Sequence, residues 1–266
     1  MMIDVHAHFM TDRAGRADWD AVNARRLNAG ERMGITFHVA SILGTWGQTS
    51  PTYFPSPSDV THANESMTHL VRTHPNRIRG YCVVNPNYTE HALAELERHL
   101  GNGLIGVKLA ASRRADDPLL DAVAGAAAGN HAPVLHHIWQ HRRTEWPGQE
   151  ASDAVELVRL AVRHPRTAFI LAHIGGGGDW AHSLRAVTGV TNIYVDLSGS
   201  GVDAGMLESV VDAVGPDRML WGCDVTMDTG LAKLRYLSTL GLPDGAMERI
   251  TAGNARRIFP PGAFDA

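Results

Sequence analysis

Only two cysteines occur in the 266 residues, Cys82 in "YCVVN" and Cys223 in "LWGCD". Both sit in apolar runs, so buried reduced thiols are expected rather than a disulfide. A Cys-rich structural zinc site is excluded, because neither has a suitable metal-ligating neighbour. No apolar run approaches the roughly 20 residues that a transmembrane helix needs, and the first residues lack the basic and apolar regions of a signal peptide. A cytoplasmic protein is therefore expected. Neither sign of charge dominates, with 24 Lys and Arg against 28 Asp and Glu and a formal net charge of −4. No Lys/Arg cluster offers a footprint for nucleic acid or an anionic membrane. A small polar molecule is the expected partner, and a homo-oligomer stays open. Low-complexity tracts and long linkers are also missing. At 44% hydrophobic and 20% charged, residues 1–266 read as one globular domain.

What the chain does have is a recurring pattern. Short runs rich in Val and Ile lie at 2–6, 35–43, 78–85, 104–110, 132–138, 167–173, 192–198 and 218–224, with helical spacing between them. In "SDVTHANESMTHLVRTHP", Val60, Ala63, Met67, Leu70 and Val71 share one helical face, Ser58 caps the start and Pro75 follows the end. "SDAVELVRLAVRHP" repeats that logic with Ser152 and Pro165. Eight βα units in about 250 residues predict an α/β protein with a (β/α)8 TIM barrel. An open doubly wound sheet is the rival. Residues 44–58, "GTWGQTSPTYFPSPS", read as an extended loop over one barrel face, either part of a substrate lid or a plain solvent-exposed connection. Two helical patterns, 229–242 and 244–259, would close the barrel. "GGGG" at 175–178 fits no nucleotide fingerprint and reads as a tight turn.

Histidine is the outlier, with 15 residues. In "MIDVHAHF", His6 and His8 are two apart on a predicted strand and share a face. Lys108, His136, His137, His173 and Asp224 also fall in or at the ends of predicted strands, and in a barrel those ends meet where active sites are built. Neutral imidazoles and a carboxylate suit zinc and similar divalent ions, and three or four of them leave a coordination position open. Strand parity points only one of His136 and His137 inward without saying which.

"DVHAHF", "GVKLA", "PVLHHIW", "FILAHIGGG", "NIYVDLSG", "DRMLWGCDVT" and "NARRIF", in that order, resemble the amidohydrolase superfamily. The likeness is to its amidohydrolase-related branch, with the aminocarboxymuconate-semialdehyde decarboxylase-like enzymes. It runs from about residue 2 to 259 and includes "NESMTHLVRTHPNRIRGYCVVNP" before and through strand three. It implies metal binding by His6, His8, His137 and Asp224, with zinc the first expectation and manganese or another transition metal the alternative. His137 is preferred because the family pattern has an apolar residue where this chain has His136. His173 would act as an acid/base or as a ligand to a second metal. Lys108 would be a carboxylated bridge between two metals, a substrate anchor, or a lysine paired with an acid. Arg113 and Arg114 would hold a substrate carboxylate or form a solvated basic pair. The implied activity is hydrolysis of an amide, ester or lactone by activated water, with Asp224 and His173 moving protons. The alternative is nonoxidative decarboxylation or hydration of a small unsaturated or aromatic acid. A metal-binding barrel without catalysis is the third reading.

Overall fold

A computed structural model describes residues 1–43, 50–138, 147–150, 152–174, 180–199, 201–224 and 228–265. Its strands are β1 (Ile3–His8), β2 (Phe37–Ser41), β3 (Ile78–Val84), β4 (Gly106–Leu109), β5 (Val134–His136), β6 (Phe169–Leu171), β7 (Ile193–Asp196) and β8 (Met219–Leu220). They form one parallel sheet in sequence order. The ring is drawn together where the Val5 N–H donates to the Trp221 carbonyl at 3.1 Å and Ala7 bridges Asp224. The architecture is a (β/α)8 barrel, and the open-sheet rival is set aside.

Between the strands lie α1 (Trp19–Met33), α2 (Pro57–Thr73), α3 (Thr89–Leu100), α4 (Leu119–Gly129), α5 (Ala154–Arg163), α6 (Trp180–Val187) and α7 (Met206–Val214), and α8 (Asp228–Leu237) follows β8. The expected face of α2 is the one that packs, with Val60, Ala63 and Met67 buried and Leu70 and Val71 partly so. Both helix starts shift from expectation. Ser56, not Ser58, caps α2 in a reciprocal box with Asp59, because Pro57 supplies a preset φ at the first helical position. Asp153, not Ser152, caps α5, since the Ser152 hydroxyl instead accepts the Ala115 N–H at 2.8 Å. The 244–259 pattern forms a helical run from Ala246 to Ile258 interrupted by a π turn at Arg249–Gly253. That turn presents the Ile250 carbonyl to the Trp221 N–H at 3.1 Å.

Inward-facing Ile3, Val5, Phe37, Val39, Tyr81, Leu135, Ile170 and Leu220 fill the barrel's lower interior. A larger apolar layer lies between strands and helices, where Cys82 and Cys223 are buried as free thiols. The floor matters because it forces polar inward positions above it to pair with one another rather than with water. Among the described residues no helix is long and apolar enough to cross a membrane.

Candidate metal centre

The β1 ladder shifts register between Asp4 and Ala7, and above that irregularity His6 and His8 both meet partners from across the barrel. His6 Nδ1 donates to Asp196 Oδ2 at 2.6 Å. That carboxylate also accepts the Ser198 hydroxyl at 2.6 Å and the Ser198 N–H at 2.8 Å. His8 Nδ1 donates to the Ser41 carbonyl at 3.2 Å. Because a carboxylate only accepts, His6 carries its proton on Nδ1 and presents Nε2 as a lone pair, while His8 Nδ1 also meets the Ser41 hydroxyl at 3.1 Å.

Two other site residues rest on strained backbone. His173 and Asp224 have φ of 64° and 58°, the left-handed region that a Cβ disfavours. Asp224 Oδ1 lies 3.3 Å from His8 Nε2 and 3.8 Å from His6 Nε2. Its Oδ2 lies 3.4 Å from His173 Nδ1. His173 Nε2 is hydrogen-bonded to His137 Nδ1 at 3.0 Å. Donor atoms of His6, His173 and Asp224 all fall within 4.8 Å of one another. Of the ligands expected from sequence, His6 and Asp224 belong to this cluster, His8 touches it through Asp224, and His137 reaches it only through His173, which takes the third place. β8 itself stops at Leu220, well short of the expected 224, and Asp224 reaches the site by rejoining β1.

Burial is the largest influence on the imidazoles. It holds His6, His8 and His137 below the usual histidine range, aided by Lys108, and lowers His173 to about 3. Burial pushes the Asp224 carboxyl up, but His173, the contact with His8 and His6 outweigh it and keep it ionised. Burial lowers Lys108 to about 8 against the pull of Asp224 and Asp196. Neutral imidazoles, two carboxylates and one ammonium make a buried site with negative excess, which suits a divalent cation.

Lys108 donates to His6 Nε2 at 2.8 Å. His136 lies on the opposite strand face from His137, with Nδ1 donating to the His137 carbonyl at 2.9 Å. Arg113 and Arg114 pair with acids: Arg113 with Glu150 at 3.1 Å, and Arg114 with Glu156 at 2.9 Å. Of the 44–58 loop, residues 44–49 lie outside the described residues, as does the 175–178 turn. Tyr53, within the described part, packs its ring against His137, centroids 5.2 Å apart. Burial and then Asp224 raise its phenol above the usual range, so it keeps its proton. The sequence reading missed Asp196, Ser198, Ser41, Tyr53 and Arg26. Asp196, Ser198 and Ser41 carried a signal, as polar residues late in predicted strands; Tyr53 and Arg26 carried none.

An amidohydrolase family model matches residues 3–260. No curated protein matches the sequence. Among solved structures, the chain is similar to 2,6-dihydroxybenzoate decarboxylase from Rhizobium, at 16% identity and TM-score 0.75, over 97% of this chain and 98% of that one. It is similar to 5-carboxyvanillate decarboxylase from Sphingomonas paucimobilis, at 19% and 0.71, over 97% and 98%. It is also similar to 4-oxalomesaconate hydratase from Rhodopseudomonas palustris, at 16% and 0.69, over 98% and 96%. At such identities the likeness is one of fold. The family match spans nearly the whole length, and the chain is therefore an enzyme of the amidohydrolase family.

Proposed function

We propose that this enzyme is a metal-dependent nonoxidative decarboxylase of a small hydroxylated aromatic or unsaturated carboxylic acid. His6, His8, His137 and Asp224 would hold the divalent ion. The observation that carries the reading is the meeting of donor atoms: those of His6, His173 and Asp224 lie within 4.8 Å of one another, and His8 Nε2 lies 3.3 Å from the same carboxylate. Imidazoles held neutral by burial around one ionised carboxylate are a donor set that suits a divalent cation. Zinc suits the nitrogen and oxygen donors. Manganese is the other choice, since a dihydroxybenzoic acid decarboxylase from Polaromonas binds it.

Bound there, a divalent ion would orient the substrate carboxylate and its neighbouring oxygen and offset the negative charge that grows as carbon dioxide leaves. Asp224 Oδ2 and His173 Nδ1, 3.4 Å apart, would pass to the carbon losing its carboxylate a proton drawn from the substrate's own hydroxyl or from solvent, since Asp224 starts ionised and His173 neutral. Neutral His173 has one N–H and one lone pair, shared between Ser198 at Nδ1 and His137 at Nε2, so it relays rather than stores a proton. The His6 Nε2 lone pair cannot serve Lys108 and a metal together, so with a metal bound the Lys108 ammonium would be available to hold the substrate carboxylate. Tyr53, on His137, gives the site an aromatic wall suited to a flat substrate. Relatives of the same fold that act on 2,6-dihydroxybenzoate and 5-carboxyvanillate support this reading over hydrolysis.

The test offers metal-loaded protein those two acids beside ester, lactone and amide panels, and follows carbon dioxide. The expected result is metal-dependent carbon dioxide release that Asp224→Asn lowers about 100-fold or more. Water-dependent cleavage without carbon dioxide would establish the hydrolytic reading instead. Full turnover by metal-loaded Asp224→Asn would remove Asp224 from the proton path.

A further inference from the structure

Helix α1 packs on the barrel through a buried stripe of Asn23, Arg26 and Gly30, where a barrel helix ordinarily presents apolar side chains. The three residues meet the chain just beyond β1, the His38 ring on β2 and the stretch past β8. The Asn23 amide brackets Met10 just beyond β1, accepting its N–H and donating to its carbonyl, each at 2.9 Å. Gly30 leaves room for the His38 ring, because a Cβ there would stand 2.3 Å from His38 Nε2. His38 Nδ1 donates to Asp4 Oδ2 at 2.9 Å. Asp4 Oδ1 in turn accepts the N–H of His6 at 3.1 Å and of Cys223 at 2.9 Å. Arg26, itself buried, donates from Nη2 to the carbonyl oxygen of Asp224.

Asp224 needs such support. It lies beyond the end of the β8 ladder at Leu220, and its φ of 58° is disfavoured for a residue with a side chain. Its N–H donates to the His6 carbonyl at 2.6 Å, while Arg26 holds its carbonyl. Fixing both backbone groups of one residue fixes the direction in which its side chain leaves the chain. Here that direction places the carboxylate between His8 and His173.

We propose that Arg26 is a positioning residue: through the Asp224 carbonyl it holds the left-handed backbone that aims the Asp224 carboxylate into the metal donor set. The inference rests on the metal reading above. It assigns to α1, which carries none of the proposed ligands, the task of aiming one of them.

The test measures the zinc dissociation constant of full-length wild type, Arg26→Met and Arg26→Lys by competition with a chromophoric chelator. Thermal melting of the metal-free proteins runs alongside. Arg26→Met is expected to weaken zinc binding about 10- to 100-fold, the usual effect of losing a group that orients a ligand, and Arg26→Lys to recover part of that loss. A lowered melting temperature with unchanged affinity in the folded protein would show a structural role alone and overturn the proposal. Should Arg26→Met fail to fold, Arg26→Gln replaces it, and unchanged affinity there overturns the proposal equally. A wild type that binds neither zinc nor manganese overturns the metal reading and this inference together, whereas a wild type that binds and an Arg26→Met that binds equally well overturns this inference alone.

Discussion

A neighbour's hydrogen bond can decide which nitrogen an imidazole presents. For His6 the instruction comes from Asp196, whose Oδ2 accepts the Nδ1 proton at 2.6 Å. An ionised acceptor makes that bond stronger than a neutral one and raises the electron density left on Nε2. Asp196→Asn keeps the shape but replaces the carboxylate with an amide, which can also turn its NH2 toward His6 and invert the tautomer. Zinc affinity should fall about 10- to 100-fold with little change in fold, read by chelator competition and circular dichroism. Unchanged affinity would mean that Asp196 serves only to fill a polar layer. At this scale the sequence was partly legible. Polar residues placed late in predicted strands marked His6, His8, His173 and Asp224, and the same rule reaches Asp196. Ser41 also lies late in a predicted strand, though nothing in the sequence says that it meets His8, and Arg26 obeys no such rule, because an arginine in a helix does not reveal that its partner is a backbone carbonyl elsewhere.

Helices tie the strand ends to the site, and two of them offer separate tests. In α1, Gly30 sits in the helix interior, where replacement by Ala ordinarily gains about 1 kcal/mol in propensity. Here the new Cβ meets a buried ring at 2.3 Å that is hydrogen-bonded to Asp4, and such overpacking costs about 1–3 kcal/mol. The clash should win, so Gly30→Ala is expected to lower the melting temperature rather than raise it. Between α2 and α3, Glu95 accepts from Asn64 at 2.7 Å and Thr61 at 2.9 Å, while Asn64 brackets Val83 of β3. Burial pushes the Glu95 carboxyl up, but the hydrogen bonds from His99, Asn64 and Thr61 outweigh it and hold it at about 2. A folded value below the usual 4.5 means a contribution that is full above that pH and lost as the pH falls toward 2. Glu95→Gln should therefore be less stable than wild type at pH 7, by of the order of 2 kcal/mol. That difference should shrink below pH 4.5, seen in denaturant midpoints measured as a pH series. A constant difference would assign the effect to packing.

In the whole molecule, apolar runs report burial more faithfully than pairing. "LWGCD" reads as strand to residue 224 because Trp221 and Cys223 are buried, yet the ladder stops at Leu220. The barrel was legible because eight βα alternations leave few topologies, and barrel closure then turns strand-end positions into neighbours. Tyr53 and Arg26 were not, since loops and helices carry no register relative to those ends. Closure also determines what a bound metal does to stability. The proposed donors come from β1, from just beyond β5 and from past β8, and a single ion would cross-link them at the seam where the ring is least paired. An ion that binds only the folded chain adds about 2.7 kcal/mol at 100 times its dissociation constant. For a chain of this size, at roughly 2–4 °C per kcal/mol, the melting temperature should rise about 5–11 °C with zinc and return with chelator. Asp224→Asn should lose most of that rise. The same rise in wild type and in a His6→Ala, His8→Ala double variant would place the ion elsewhere on the molecule and remove the metal from the barrel mouth.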